Sequence, residues 1–180
     1  MLKITIPAGE LWDQKKEEII SVKEQTLQLE HSLVSISKWE SKWCKAFFMK
    51  KQKSYEEIID YIKCMTLTPN VDPNVYLMLT QENIDDINKY IESPMTATYI
   101  SDNGQPKGNR EVQTAEVIYC NMITLGIPVE FQKWHINRLL TLIKVCDIKN
   151  RPPKKMGRKE TISKYAALNA ARRKQLHSKG

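Results

Sequence analysis

Apolar and polar residues alternate in LKITI (Leu2–Ile6), the period of a strand with one buried face. Pro7-Ala8-Gly9 interrupts it. The stretch LWDQKKEEIISVKEQTLQLEHSL is charged and leans towards extended structure, which predicts a hairpin followed by a third extended piece, Thr26–Leu33. Leu27, Leu29 and His31 would share one face of that piece. A β element over about residues 1–33 is therefore expected.

From Ser32 the period becomes helical. Leu33, Ile36, Trp39 or Glu40, and Trp43 fall at steps of three and four. Ser54 and Glu57 form an S-x-x-E capping box ahead of an apolar stripe, Ile58, Tyr61, Ile62 and Met65. Asp72-Pro73 opens a short turn over Pro73–Leu79, and Thr80 caps a helix carrying Ile84, Ile87 or Asn88, and Ile91 inward. Ser93–Glu111 reads as a loop with a tight turn at Asn103-Gly104, and its flank TATYI (Thr96–Ile100) has strand character. Helices are expected over Glu111–Leu125, closed by Gly126, over Pro128–Cys146, and over about Thr161–Leu176. The fold class is mainly α (α+β), with a small N-terminal β-hairpin or sheet and a basic helical C-terminal arm.

Charge divides the chain. It holds 28 Lys and Arg against 21 Asp and Glu. Residues 149–180 account for 11 basic and 1 acidic, or +10, leaving 28 − 11 = 17 basic and 21 − 1 = 20 acidic, or −3, for residues 1–148. This predicts a helical body over 1–148 and a basic arm over 149–180 that acts as an interaction segment or a solvated end. The six glycines are too few for a glycine-rich nucleotide fold. No apolar run approaches the ~18 residues that cross a bilayer, so no membrane contact is expected. The opening MLKITIPAGELWDQKKEE lacks the apolar segment of a signal peptide, which points to a cytosolic protein. Cys44, Cys64, Cys120 and Cys146 form no C-x-x-C pair and are expected as small buried thiols. Nothing in the sequence sets an oligomeric state.

Candidate chemistry is sparse. His31, His135 and His177 never fall at ligand spacing on one element, and His135 reads as a core or rim histidine. Glu17/Glu18, Glu56/Glu57 and Asp85/Asp86 are sequence neighbours, which on a helix diverge by about 100° and make no acid–base dyad. Phosphate-binding, hydrolase, metalloprotease and dinucleotide motifs are missing from the sequence. A non-enzymatic chain with no cofactor and no metal is expected.

One constellation stands apart: SKWESKWCKAFFMKKQKS (Ser37–Ser54), where Trp39, Trp43, Phe47 and Phe48 are interleaved with six lysines. It admits three readings: a surface that stacks bases and holds phosphates, a partner-binding surface, or buried tryptophans under solvated lysines. The negative body favours the last over the first. In the arm, AALNAARRKQL is rich in helix formers, and Arg172, Arg173 and Lys174 share a short helix with Tyr165, Leu168 and Leu176. Its partner is an acidic protein surface or nucleic acid, unless the arm only solubilises.

Four strings, LQLEHSLVSISKWESKW (Leu27–Trp43), CMTLTPNVDP (Cys64–Pro73), WHINRLLTLIKVC (Trp134–Cys146) and ALNAARRKQLHSKG (Ala167–Gly180), resemble a family of small proteins of tailed bacteriophages and prophages. That family is often placed among tail-assembly chaperones. The resemblance spans the chain and brings no catalytic motif. It implies a phage tail morphogenesis protein that keeps the tape-measure protein soluble in the host cytoplasm, contacting it or other tail proteins through exposed aromatic and apolar surface. The alternative is a structural virion protein of head, connector or tail whose basic arm contacts a neighbouring subunit or DNA. A free DNA-binding regulator fits less well, because the second helix of the pair Glu111–Cys146 offers only Lys133, Arg138 and Lys144.

Overall fold

A computed structural model describes residues 1–13, 17–49, 52–100, 112–151 and 157–176. The protein is mainly α with a small β part. Four short strands open the chain: β1 (Leu2–Ile6), β2 (Gly9–Asp13), β3 (Glu18–Val22) and β4 (Gln25–Leu29). They form two nested antiparallel pairs. β2 pairs with β3 as a hairpin, and β4 returns to pair with β1 with Ile4 opposite Leu27. The last extended piece is thus shorter than the sequence suggests: it stops at Leu29, and His31 lies beyond it. In β1 and β4 the alternation puts Ile4, Ile6, Leu27 and Leu29 in the core. In the hairpin Leu11 and Ile20 pack towards the core, while the cross-strand pair Trp12 and Ile19 faces outward and is exposed.

Among the described residues six α-helices follow: α1 (Leu33–Trp43), α2 (Tyr55–Met65), α3 (Gln81–Glu92), α4 (Ala115–Thr124), α5 (Ile136–Asn150) and α6 (Arg158–Gln175). Their starts follow local chemistry. Ser32 accepts the Ser35 N–H, Ser54 and Glu57 form the expected reciprocal box, and Thr80 and Thr114 accept the N–H groups of Asn83 and Val117. Asp72 caps a 3₁₀ turn, Pro73–Met78. Gly126 (φ 65°) closes α4 in the left-handed region, with Ile127 N–H returned to Met122 O at 2.9 Å.

Several expectations shift. In α2 it is Ile59 that is buried while Ile58 is exposed, a phase the period does not settle in a helix's first turn. Thr96–Ile100 is coil, and the Asn103-Gly104 turn lies outside the described residues. The helix expected over Pro128–Cys146 is split into a 3₁₀ turn, Val129–Lys133, and α5. The split has a backbone cause. Trp134 is extended, and Ile136 N–H is donated across the core to His31 O at 2.7 Å, so the helix restarts there.

The core of the body gathers both strand pairs and α1 to α5 around Leu27, Leu29, Leu33, Ile36, Trp39, Ile62, Met65, Ile118, Ile136 and Leu139. The chain forms two compact units, Met1–Asp147 and Ile148–Gly180. Among the described residues, all the buried hydrophobic ones belong to the first. Truncation after Ile148 is therefore expected to leave the urea-unfolding free energy of the body within about 1 kcal/mol of the full chain, because exposed polar segments contribute little. Loss of cooperative unfolding in the truncated chain would contradict this.

Candidate functional site

The aromatic–basic segment resolves into an internal cluster rather than an open face. Trp39 is 1% exposed, and its Nε1–H donates to Glu57 O at 2.9 Å. α2 covers it and leaves it almost no exposed surface, which corrects the reading of Trp39 as a binding residue. Trp43, one turn on, is half-buried at the end of α1 and donates Nε1–H to Asp60 Oδ2 at 2.9 Å. Phe47 packs on Tyr61 with ring centroids 4.3 Å apart and edge-on to Trp39 at 5.4 Å. Phe48, 37% exposed, is the one ring of the four that reaches solvent substantially.

Three of the lysines around this cluster, Lys42, Lys45 and Lys53, are engaged, while Lys38 is exposed. Lys42 pairs with Asp60, whose hydrogen bond raises the lysine pKa. Lys45 meets Glu57 at 2.5 Å and stands 5.6 Å from the Trp43 ring. Lys53 donates to Phe47 O at 2.9 Å and lies 4.3 Å over the Phe47 ring, and burial lowers its pKa. The Glu57 carboxyl is held below its ordinary range, first by Lys45 and then by the Ser54 N–H. Cations already committed to the body's own carboxylates and rings offer little to a phosphate chain. A cleft of about 300 Å³ opens beside them, lined by Trp39, Cys44, Lys45, Met49, Lys53 and Glu57. Lys50 and Lys51 lie outside the described residues.

Beneath the cluster sits Glu40, 7% exposed. Its Oε1 accepts the Phe47 N–H and its Oε2 accepts the Ala115 N–H, each at 2.7 Å. The sequence offers Glu40 only as an alternative to Trp39 on the inner face of α1; both are inside.

A second constellation escapes sequence reading because its members are remote in the chain. The rings of His31 and His135 meet edge to face with centroids 5.1 Å apart, at 2% and 5% exposure. Asn137 N–H donates to His135 Nδ1 at 3.3 Å, so Nε2 carries the proton and donates it to Tyr90 O at 3.0 Å. His31 Nδ1 bonds the Tyr61 hydroxyl. Tyr90 donates its hydroxyl to Glu30 at 2.7 Å, and the N-terminal amine meets the other Glu30 oxygen at 3.1 Å. Burial, and secondly the neighbouring His135, push the His31 pKa down to about 3; burial lowers that of His135 too. Enclosed and neutral, the pair joins the β4–α1 junction to the start of α5.

Among the described residues no three His, Cys, Asp or Glu side chains come together as a metal site. Cys64 and Cys146 are half-buried, but Cys44 and Cys120 are exposed, which corrects the expectation of buried thiols at those two positions. Cys44 sits at the left-handed C-cap of α1, where the chain leaves the core, and Cys120 lies on the outer side of α4.

Arg172, Arg173 and Lys174 lie in the last turn of α6, in the second unit, and all are exposed. Ile162, Tyr165, Leu168 and Leu176 on the same helix are exposed as well. No helix among the described residues is long and apolar enough to cross a membrane. The chain matches no known family model, no curated protein and no solved structure.

Two sets of measurements test this geometry. In urea unfolding, Trp39→Ala should cost roughly 3–5 kcal/mol. Glu40→Ala should cost about 1–3 kcal/mol for each amide it leaves unpaired, while Phe48→Ala stays within about 1 kcal/mol. A mild Trp39→Ala would place that ring outside the core. The second set concerns pH. Folding lowers the His31 pKa from 6.5 to about 3. Above pH 6.5 both states carry a neutral ring and pH has no effect through this group. Below it, only the unfolded chain takes the proton, so stability falls, by about 2 kcal/mol at pH 5. His31→Gln should flatten the fall between pH 7 and pH 5; an unchanged slope would exclude His31 as its source.

Proposed function

We propose that this chain is an interaction protein of tailed-phage morphogenesis, a tail-assembly chaperone that binds the tape-measure protein in the host cytoplasm. It works by binding, not by catalysis. The observation that carries the reading is α6. This helix belongs to a unit separate from the body, and it leaves apolar and cationic side chains exposed along its length. A helix whose described apolar side chains are exposed suits reversible contact with another long helical protein. The resemblance of the four sequence strings to phage tail proteins supplies the biological setting. Phe48 and Met49, exposed beside the cleft, are the body's contribution to partner contact in this reading; Trp43 and Phe47 support them from within.

A structural virion protein is the second reading, and the +10 charge of residues 149–180 favours it, since such an arm also suits packaged DNA or an acidic neighbouring subunit. A free regulator has less support. On α5 the Arg138 guanidinium is stacked 3.9 Å over Trp134, and Ile136, Leu139 and Ile143 are buried.

The separating experiment is tagged purification from infected cells combined with proteomics of purified particles. The chaperone reading expects the tape-measure protein to co-purify with the chain, and the chain to be scarce in finished particles. Stoichiometric chain in the particles, without tape-measure capture, would replace it with the virion reading.

A further inference from the structure

We infer that Arg172 selects the partner of α6, and that this partner is an acidic amphipathic helix of another protein, presenting a carboxylate flanked by apolar side chains. The inference rests on the proposed binding function and makes its surface specific.

Residues advance by about 100° around a helix. Measured from Arg172, Leu168 lies at about −40°, Leu176 at about +40° and Tyr165 at about +20°, with Ile162 at the margin near +80°. Leu176 still continues the helix, donating its N–H to Arg172 O at 2.9 Å. The three basic residues of the last turn therefore do not act as one cluster. Arg173 stands about 100° away and Lys174 about 160° away, on the far side. Only Arg172 sits inside the apolar stripe, one turn from a leucine on either side.

Those stripe residues are bare: Tyr165 is 64% exposed, Leu168 43% and Leu176 75%. No ion pair or hydrogen bond engages the Arg172 guanidinium among the described residues. A partner that covers Leu168 and Leu176 must also take the guanidinium out of water. An uncompensated cation there opposes binding, whereas a carboxylate in bidentate contact satisfies it. The stripe thus attracts any apolar helix, and Arg172 admits one with an acid at the matching place.

Charge decides among the other occupants. A second copy in parallel register would set its own Arg172 against the first, with Lys164 near about −80° at the margin of each stripe, so self-pairing is opposed. Phosphate chains need cations and no apolar stripe, and they would use Lys174 as readily as Arg172. An anionic bilayer would accept the stripe but has no reason to place a single acid between two leucines.

The test uses the full 180-residue chain and its Arg172→Glu and Lys174→Glu variants. The probes are two helical peptides that differ at one position, Leu-x-x-x-Glu-x-x-x-Leu and Leu-x-x-x-Lys-x-x-x-Leu, together with a duplex DNA and phosphatidylcholine–phosphatidylglycerol vesicles. Circular dichroism confirms that the variants keep their helices. The Glu peptide should bind the parent chain, and Arg172→Glu should weaken it about tenfold or more while Lys174→Glu changes it by about twofold at most. Arg172→Glu should in turn gain affinity for the Lys peptide. Four results would overturn the inference: equal losses from the two variants; no binding of the Glu peptide; DNA or vesicle binding that outlasts peptide binding; or self-association through α6. Tape-measure capture unaffected by Arg172→Glu would sink the role of Arg172 and leave the proposed function standing.

Discussion

The Glu40 carboxylate accepts one backbone N–H from the loop after α1 and one from the first residue of α4, which lies 75 positions further along the chain. Ala115 is among the N-terminal residues of α4 whose N–H groups find no partner within the helix. An anion suits that end of the helix dipole, and both bonds are charge-assisted. The buried charge is therefore satisfied by amides rather than by a lysine. In return it fixes where α4 begins and where Phe47 sits. Phe47 then fills the space between Trp39 and Tyr61, and Lys53 closes over it.

This constraint turns the most suggestive stretch of the sequence into scaffold. Four aromatic rings among six lysines look like a binding surface when written in one line. Folded, two of the rings donate indole N–H groups to α2, and the described lysines at 42, 45 and 53 answer to Asp60, Glu57 and Phe47. In the proposed function, recognition falls to surfaces without such commitments. On α6, the described Ile162, Tyr165, Leu168 and Leu176 are exposed, as are Arg172, Arg173 and Lys174.

Legibility in the sequence followed distance along the chain. Helix starts at Ser54, Asp72 and Thr80 and the stop at Gly126 were readable, because each depends on side chains or backbone freedom within a few residues. The return of β4 to β1, the break before α5 and the meeting of His31 with His135 were not, because each rests on a partner far away in the chain. Trp39 and Trp43 show the limit of periodicity. A four-residue step correctly puts them on one side of α1, but only the end of the helix at Trp43 makes one buried and the other half-exposed. In α6 the period alone separates Arg172 from Lys174, since no packing overrides it.

The central claim is a division of labour: a body fixed around Glu40 and, in a second compact unit, a helix with exposed apolar side chains that we propose for recognition. Native-state amide hydrogen exchange on the full chain tests it directly. The Phe47 and Ala115 amides should exchange only on opening of the body, with protection close to that of the slowest core amides. The amides of α6 should exchange nearly as fast as those of an isolated helix of the same sequence, since that helix buries no apolar residue. Protection of α6 equal to that of the body, or rapid exchange at Phe47 and Ala115, would contradict the division.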